Sequence, residues 1–121
     1  MPPSVEYGFY AEEYGGSAIG RDEWPARSRD ARGYLRRLCS TARVTPYCAD
    51  SWPMAVCAVA DAMAELDAAE RKAAVSSASI GSVSTSWDAT RGGAIDLSPA
   101  GRERALLDAA KAHLHVYAGV L

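Results

Sequence analysis

The chain has 121 residues, which suits one hydrophobic core, and a second independent domain is not expected. Its residues are 49% hydrophobic and 23% charged, with a single Phe and an apolar share that leans on alanine, a balance that favours close-packed helices over a large sheet. A formal net charge of −2 supplies no basic surplus for neutralising phosphates, and no run reaches the roughly 18 apolar residues of a membrane span, so a general nucleic-acid binder and a membrane protein are both disfavoured.

The opening segment, residues 1–20, begins Met1-Pro2-Pro3-Ser4, without the basic and apolar regions of a signal peptide, so the product is expected to stay in the cytoplasm where it is made. It is rich in aromatics, and Tyr10 to Tyr14 can make one helical turn that Gly15-Gly16 ends by taking a left-handed cap. The first two long helices are expected within residues 21–73. In the first, Asp22 is the expected N-cap and Pro25 sits in the first turn, while Trp24, Ser28, Ala31, Leu35 and Leu38 recur at helical spacing and form the buried stripe. Gly33 within that helix suggests close packing.

A connector from Cys39 to Asp50 contains Pro46 and leads to a second helix, capped by Asp50 or Ser51 and carrying Pro53 in its first turn. From Met54 to Met63 this helix is apolar nearly all round, as in a helix central to a bundle or shared with another subunit; Asp61 is the exception. Residues 75–97 hold six serines between 76 and 86 and the alternation Val83, Thr85, Trp87, which suggests an extended strand or arm followed by a loop at Gly92-Gly93. The last helix is expected over residues 98–118, with Ser98 as N-cap, Pro99 at its first position, a stripe of Leu106, Leu107, Ala110, Leu114 and Tyr117, and Gly119 as terminator. The predicted fold is therefore mainly α: a three-helix core with a short N-terminal helical turn and a Ser-rich extended arm between the last two long helices.

Little chemistry emerges from these residues. Cys39, Cys48 and Cys57 are nine residues apart, whereas zinc ligands come in pairs two to four residues apart, and three thiols in a chain without an export signal are expected to be reduced. His113 and His115, if both are helical, point to opposite sides and cannot share a metal. The serines of the arm have no Gly-x-Ser-x-Gly elbow, and no Gly-rich phosphate loop is present. Asp61 is read as a hydrogen-bonding partner rather than a proton-transfer group. No catalytic residue, metal ligand or cofactor site is assigned, and no enzyme is expected.

Charge is unevenly divided. Between Arg21 and Arg43 seven arginines face Asp22, Glu23 and Asp30, whereas Asp50 to Lys72 holds five acids against Arg71 and Lys72. This describes either two solvated helix faces or a basic surface steered onto a neighbour's acidic one. The aromatics of the opening segment and Trp87 of the arm likewise fold back on the chain or anchor an interface. Tyr10, Tyr14, Ile80, Val83 and Trp87 are the candidate contacts for partners or neighbouring subunits.

The order of blocks resembles a known family. Phe9-Tyr10-Ala11-Glu12-Glu13-Tyr14-Gly15-Gly16-Ser17-Ala18-Ile19, followed by Asp22-Glu23-Trp24 and Ala31-Arg32-Gly33-Tyr34-Leu35, is similar to the start of the head–tail connector (adaptor, or head completion) proteins of long-tailed bacteriophages. Met54 to Ala62 resembles that family's central helix, Ala78 to Ser86 the Ser-rich stretch after it, and Ser98 to Leu114 its closing helix in type. Gly33, and the cysteine and proline between Arg43 and Asp50, depart from the pattern. The resemblance implies a structural virion protein of the neck, assembled in the bacterial host's cytoplasm as a ring of subunits, twelvefold in the family. It further implies contacts with the portal protein, with neighbouring copies, and with a stopper or tail-completion protein, while DNA only passes through the channel. The Ser-rich arm would become ordered on docking. The alternatives are another neck or tail-completion protein, which would be richer in strands, and a small helical DNA-binding regulator using the Arg-rich first helix, which would show strongly salt-dependent DNA affinity.

Overall fold

The longest element is a 30-residue helix, Ser51–Ile80, on which the remainder of the chain is built. The structure, a computed structural model, describes residues 3–80 and 97–118. In chain order it contains a π-helical turn (Phe9–Tyr14), helix α1 (Trp24–Thr41), strand β1 (Ala42–Pro46), helix α2 (Ser51–Ile80), helix α3 (Pro99–Lys111) and strand β2 (Leu114–Ala118). The fold is mainly helical, with one small two-stranded sheet.

Helix α1 forms where the apolar spacing places it. Trp24, Ser28, Ala31 and Leu35 are buried on one face with Tyr34 beside them, and Leu38 packs at the margin. Asp22 does not cap it. The amides of Glu23 and Trp24 both donate to the Gly20 carbonyl, so the chain is already turning helically before Trp24 and no side chain is needed there. Nor is Gly33 a point of close packing, since a Cβ added to it would meet only Arg37 Nη1, at 3.8 Å.

Helix α2 is central, with α1 and α3 packed on it. Every residue from Ala55 to Ala60 is buried, because small side chains allow neighbouring helices to approach on several sides. Arg27 and Arg102, near the starts of α1 and α3, both reach Asp67, while the strands that follow those two helices lie near the start of α2. The flanking helices thus run antiparallel to α2. Helix α3 begins as expected from its sequence: Pro99 is the first residue, and the Ser98 hydroxyl accepts from the Gly101 amide at 3.1 Å.

Two expectations are corrected. The helix continues through residues 75–80 instead of giving way to an extended arm, since neither Gly nor Pro interrupts the stretch Ala73 to Ile80 and the next breaker is Gly81. The remainder of the expected arm, with Val83 and Trp87, lies outside the described residues, as does Gly119. At the other end α3 stops at Lys111, and Leu114 to Ala118 pairs antiparallel with Ala42 to Pro46, in the register Arg43↔Tyr117, Val44↔Val116, Thr45↔His115. Both strands alternate. Leu114, Val116 and Val44 face the core, whereas Arg43, Thr45, His115 and Tyr117 are exposed. The connector before α2 therefore contains a strand that the sequence reading did not anticipate.

Candidate functional site

Tyr10 organises the N-terminal face of the molecule. The π-helical turn places its ring in the core with no exposed surface, stacked on Trp24 at 4.7 Å between centroids and on Tyr14 at 5.8 Å. Its hydroxyl donates to Asp61 Oδ1 at 2.7 Å and accepts from the amides of Ala18 and Ile19 at 3.0 and 3.1 Å. Trp24 Nε1 donates to the Val5 carbonyl at 2.8 Å, and the Arg21 guanidinium lies over the Tyr7 ring. Burial, aided by the Asp61 carboxylate, pushes the Tyr10 phenol up to about 12, so it remains a proton donor at any physiological pH. Asp61, the one acid in the apolar stretch Met54 to Met63 of α2, is the acceptor that fixes the opening segment to that helix.

The same packing leaves a cleft of about 350 Å³ between the π-helical turn and the start of α2, lined by Phe9, Glu13, Tyr47, Cys48, Met54 and His113 among others. A thiol and an imidazole share this cleft, but the Cys48 sulfur accepts from Ser51 Oγ at 3.6 Å, and no hydrogen bond among the described residues joins it to His113. Cys57, in the core, has its thiol pushed up to about 12 by burial and the nearby Asp61, which keeps it protonated and unreactive. No three His, Cys, Asp or Glu side chains among the described residues are arranged to hold a metal ion.

Beside the cleft is an aromatic ledge. Tyr47 packs edge-on against His115 at 4.3 Å, and His115 stacks on Tyr117 at 6.2 Å. Tyr47 is 52% exposed and Tyr117 45%, which makes them the large apolar side chains that the described surface presents to solvent. The Tyr47 hydroxyl donates to the Lys111 carbonyl at 2.8 Å, which ties that side chain to the end of α3. Aromatics fixed in this way lose little freedom on contact and are typical interface anchors.

Opposite the sheet, the three helices are clamped by one carboxylate. Asp67 accepts from Arg27 Nη1 and, at 3.2 Å, from Arg102 Nη2, joining α1, α2 and α3. The Arg27 hydrogen bond holds its carboxyl below the ordinary 3.8, against a smaller opposing effect of burial. A depressed acid stabilises the fold above its unfolded value, and that contribution is lost as pH falls through the folded value. Desolvation lowers His113 from 6.5, so the folded chain also loses stability as the unfolded imidazole begins to take up protons below that pH. Urea midpoints measured across the acid range are expected to fall in two steps. Asp67→Asn should remove the lower step and cost about 1–2 kcal/mol near neutrality, a value moderated by the partial exposure of all three side chains.

Of the residues expected to contact partners, Tyr10 is a core residue, since its hydroxyl and ring are both fully used within the chain. Tyr14 is half-buried, stacked on Tyr10 and edge-on to His113 at 6.5 Å. Ile80 ends α2, and Val83 and Trp87 lie outside the described residues. The ledge of Tyr47, His115 and Tyr117 went unrecognised in the sequence, where its signal is the alternation from Leu114 to Tyr117. No family model, no curated protein and no solved structure matches the chain.

Proposed function

We propose that the chain is a structural subunit of a bacteriophage neck, a head–tail connector that binds the portal as a ring, extends the DNA channel and offers a platform to the stopper or tail. The observation that carries this reading is the ledge: the exposed Tyr47 and Tyr117, with His115 packed between them at the two-stranded sheet, form an aromatic contact surface beside the cleft. A subunit whose burial is completed by neighbours has use for such a surface.

Two further features support it. The blocks from Phe9 to Leu35 and from Met54 to Ala62 resemble, in their order, those of connector proteins. Helix α2 is also much longer than the 18 and 13 residues of its flanking helices, and Ala68, Ala73 and Ala74 are exposed along its second half, available to a neighbour.

Electron microscopy of lysates from the parent phage or prophage, with this gene deleted and then complemented, tests the reading. Heads and complete tails should accumulate separately in the deletion and join again on complementation. Normally joined particles in the deletion lysate would exclude a connector role.

A further inference from the structure

The arginines of α1 are not distributed evenly around the helix. Arg29, Arg32 and Arg36 are spaced by 3 and 4 residues and so share one flank, beside the buried face of Trp24, Ser28, Ala31 and Leu35. Arg29 and Arg36 are exposed, Arg32 is half-buried, and the Arg32 Nε is shut off from solvent with no hydrogen-bond partner. The ion pairs among the described residues use Arg27 and Arg102, so this flank has no counter-charge of its own. The guanidinium groups that a carboxylate from outside the chain can reach are those of the exposed Arg29 and Arg36, which form no ion pair among the described residues.

The chain carries a matching surface. Residues 6–23 hold five carboxylates against Arg21, all five exposed, and residues 29–43 hold five arginines against Asp30. Among the described residues no ion pair joins the two within one copy. Two complementary patches on one chain can associate head to tail, giving a ring or a filament, or reciprocally across a two-fold axis. The overall charge of −2 disfavours a polyanion such as DNA as occupant, since the molecule's other carboxylates would repel it.

We propose that the flank of Arg29, Arg32 and Arg36 receives the acidic opening segment, with Glu12 and Glu13, of a second copy of the chain. The contact is heterologous, and it closes into a ring if the rotation between copies permits. The inference deepens the ring assembly proposed above and rests on that reading.

Sedimentation velocity on the purified full chain tests it. Exposed ion pairs are individually weak and are screened as the Debye length shrinks from roughly 10 Å at 0.1 M salt to about 3 Å at 1 M. The wild type should therefore sediment as oligomers at low salt and high protein concentration, and as monomer at high salt. Arg29→Glu with Arg36→Glu should weaken association at least tenfold, as should Glu12→Lys with Glu13→Lys. All four side chains are exposed and free of ion pairs, so circular dichroism melts should confirm that both variants fold. Mixing the two variants should restore association, because each now supplies the charge the other lacks. A wild type that remains monomeric at low salt, variants that associate like the wild type, or a mixture that stays monomeric would overturn the proposal. So would tight, salt-sensitive binding of duplex DNA by the flank. A failed charge swap alongside unjoined heads and tails in the deletion lysate would remove this interface and leave the neck role standing, whereas joined particles in that lysate would remove the neck role itself.

Discussion

Replacing Tyr10 by Phe is expected to destabilise the chain by about 2–3 kcal/mol, although the ring and its stacking are preserved. The loss lies in the hydroxyl. Without it the Ala18 and Ile19 amides lose their acceptor and Asp61 loses its donor, and a group left unpaired at a buried position, as the Ile19 amide would be, costs more than the hydrogen bond contributed. Tyr10→Ala removes the ring as well and should cost about 3–5 kcal/mol, on the order of 10 °C or more in Tm. An alkaline series separates the two contributions. A phenol raised from 10.0 to about 12 supports the fold fully below its unfolded value and loses that support as pH rises towards the folded one, so the gap between wild type and Tyr10→Phe should narrow in that window. A gap that stayed constant there would mean the hydroxyl is not buried in solution.

Gly16→Ala should have an effect of similar size, about 3 kcal/mol, by a different route. The Gly16 amide donates to the Tyr10 carbonyl, and a Cβ at this position would overlap Cε1 and Cζ of the Tyr10 ring, which is held between Trp24 and Tyr14 and has nowhere to move. Gly15, next to it, is constrained by conformation instead: it has φ +79 and open space around its Cβ direction, so Gly15→Ala should cost only the left-handed penalty of about 1–2 kcal/mol. Gly8, with nothing near its Cβ direction and an ordinary φ, is the control and should be nearly neutral. In a Tyr10→Ala background the overlap disappears, so Gly16→Ala should there be strongly sub-additive in chemical denaturation.

How far the fold could be read from sequence depends on whether the signal was local. The apolar stripe from Trp24 to Leu38, the all-apolar run of α2 and the Ser98-Pro99 start of α3 are patterns contained within single helices, and the structure follows them. The sheet was illegible because its cause is distant. Leu114 and Tyr117 fit a helical stripe three residues apart as well as they fit a strand, and only pairing with residues near Val44 decides in favour of the strand. Tyr10 was misread as a surface anchor for a related reason: an aromatic in a short Gly-flanked segment has no visible partner until Asp61, 51 residues later, is brought against it. Asp61 itself was the better clue, since the one carboxylate in the apolar stretch Met54 to Met63 calls for a donor from elsewhere. The basic flank was legible as a charge bias, while the unpartnered Nε of Arg32 arises only once the chain is packed.

The pairing of β1 with β2 also bears on how quickly the molecule forms. Helical bundles with short connections assemble from neighbours in sequence and are among the fastest folders, whereas this one is closed by contacts such as Tyr47 to Lys111, 64 residues apart. The entropy of closing so long a loop must be met before the strands return anything, and two short strands return little by themselves. The sheet should therefore form last, on a scaffold of helices already in place, and the surface that bears Tyr47, His115 and Tyr117 exists only on chains that have finished folding. A partner that reads the ledge would engage completed subunits and pass over unfinished ones.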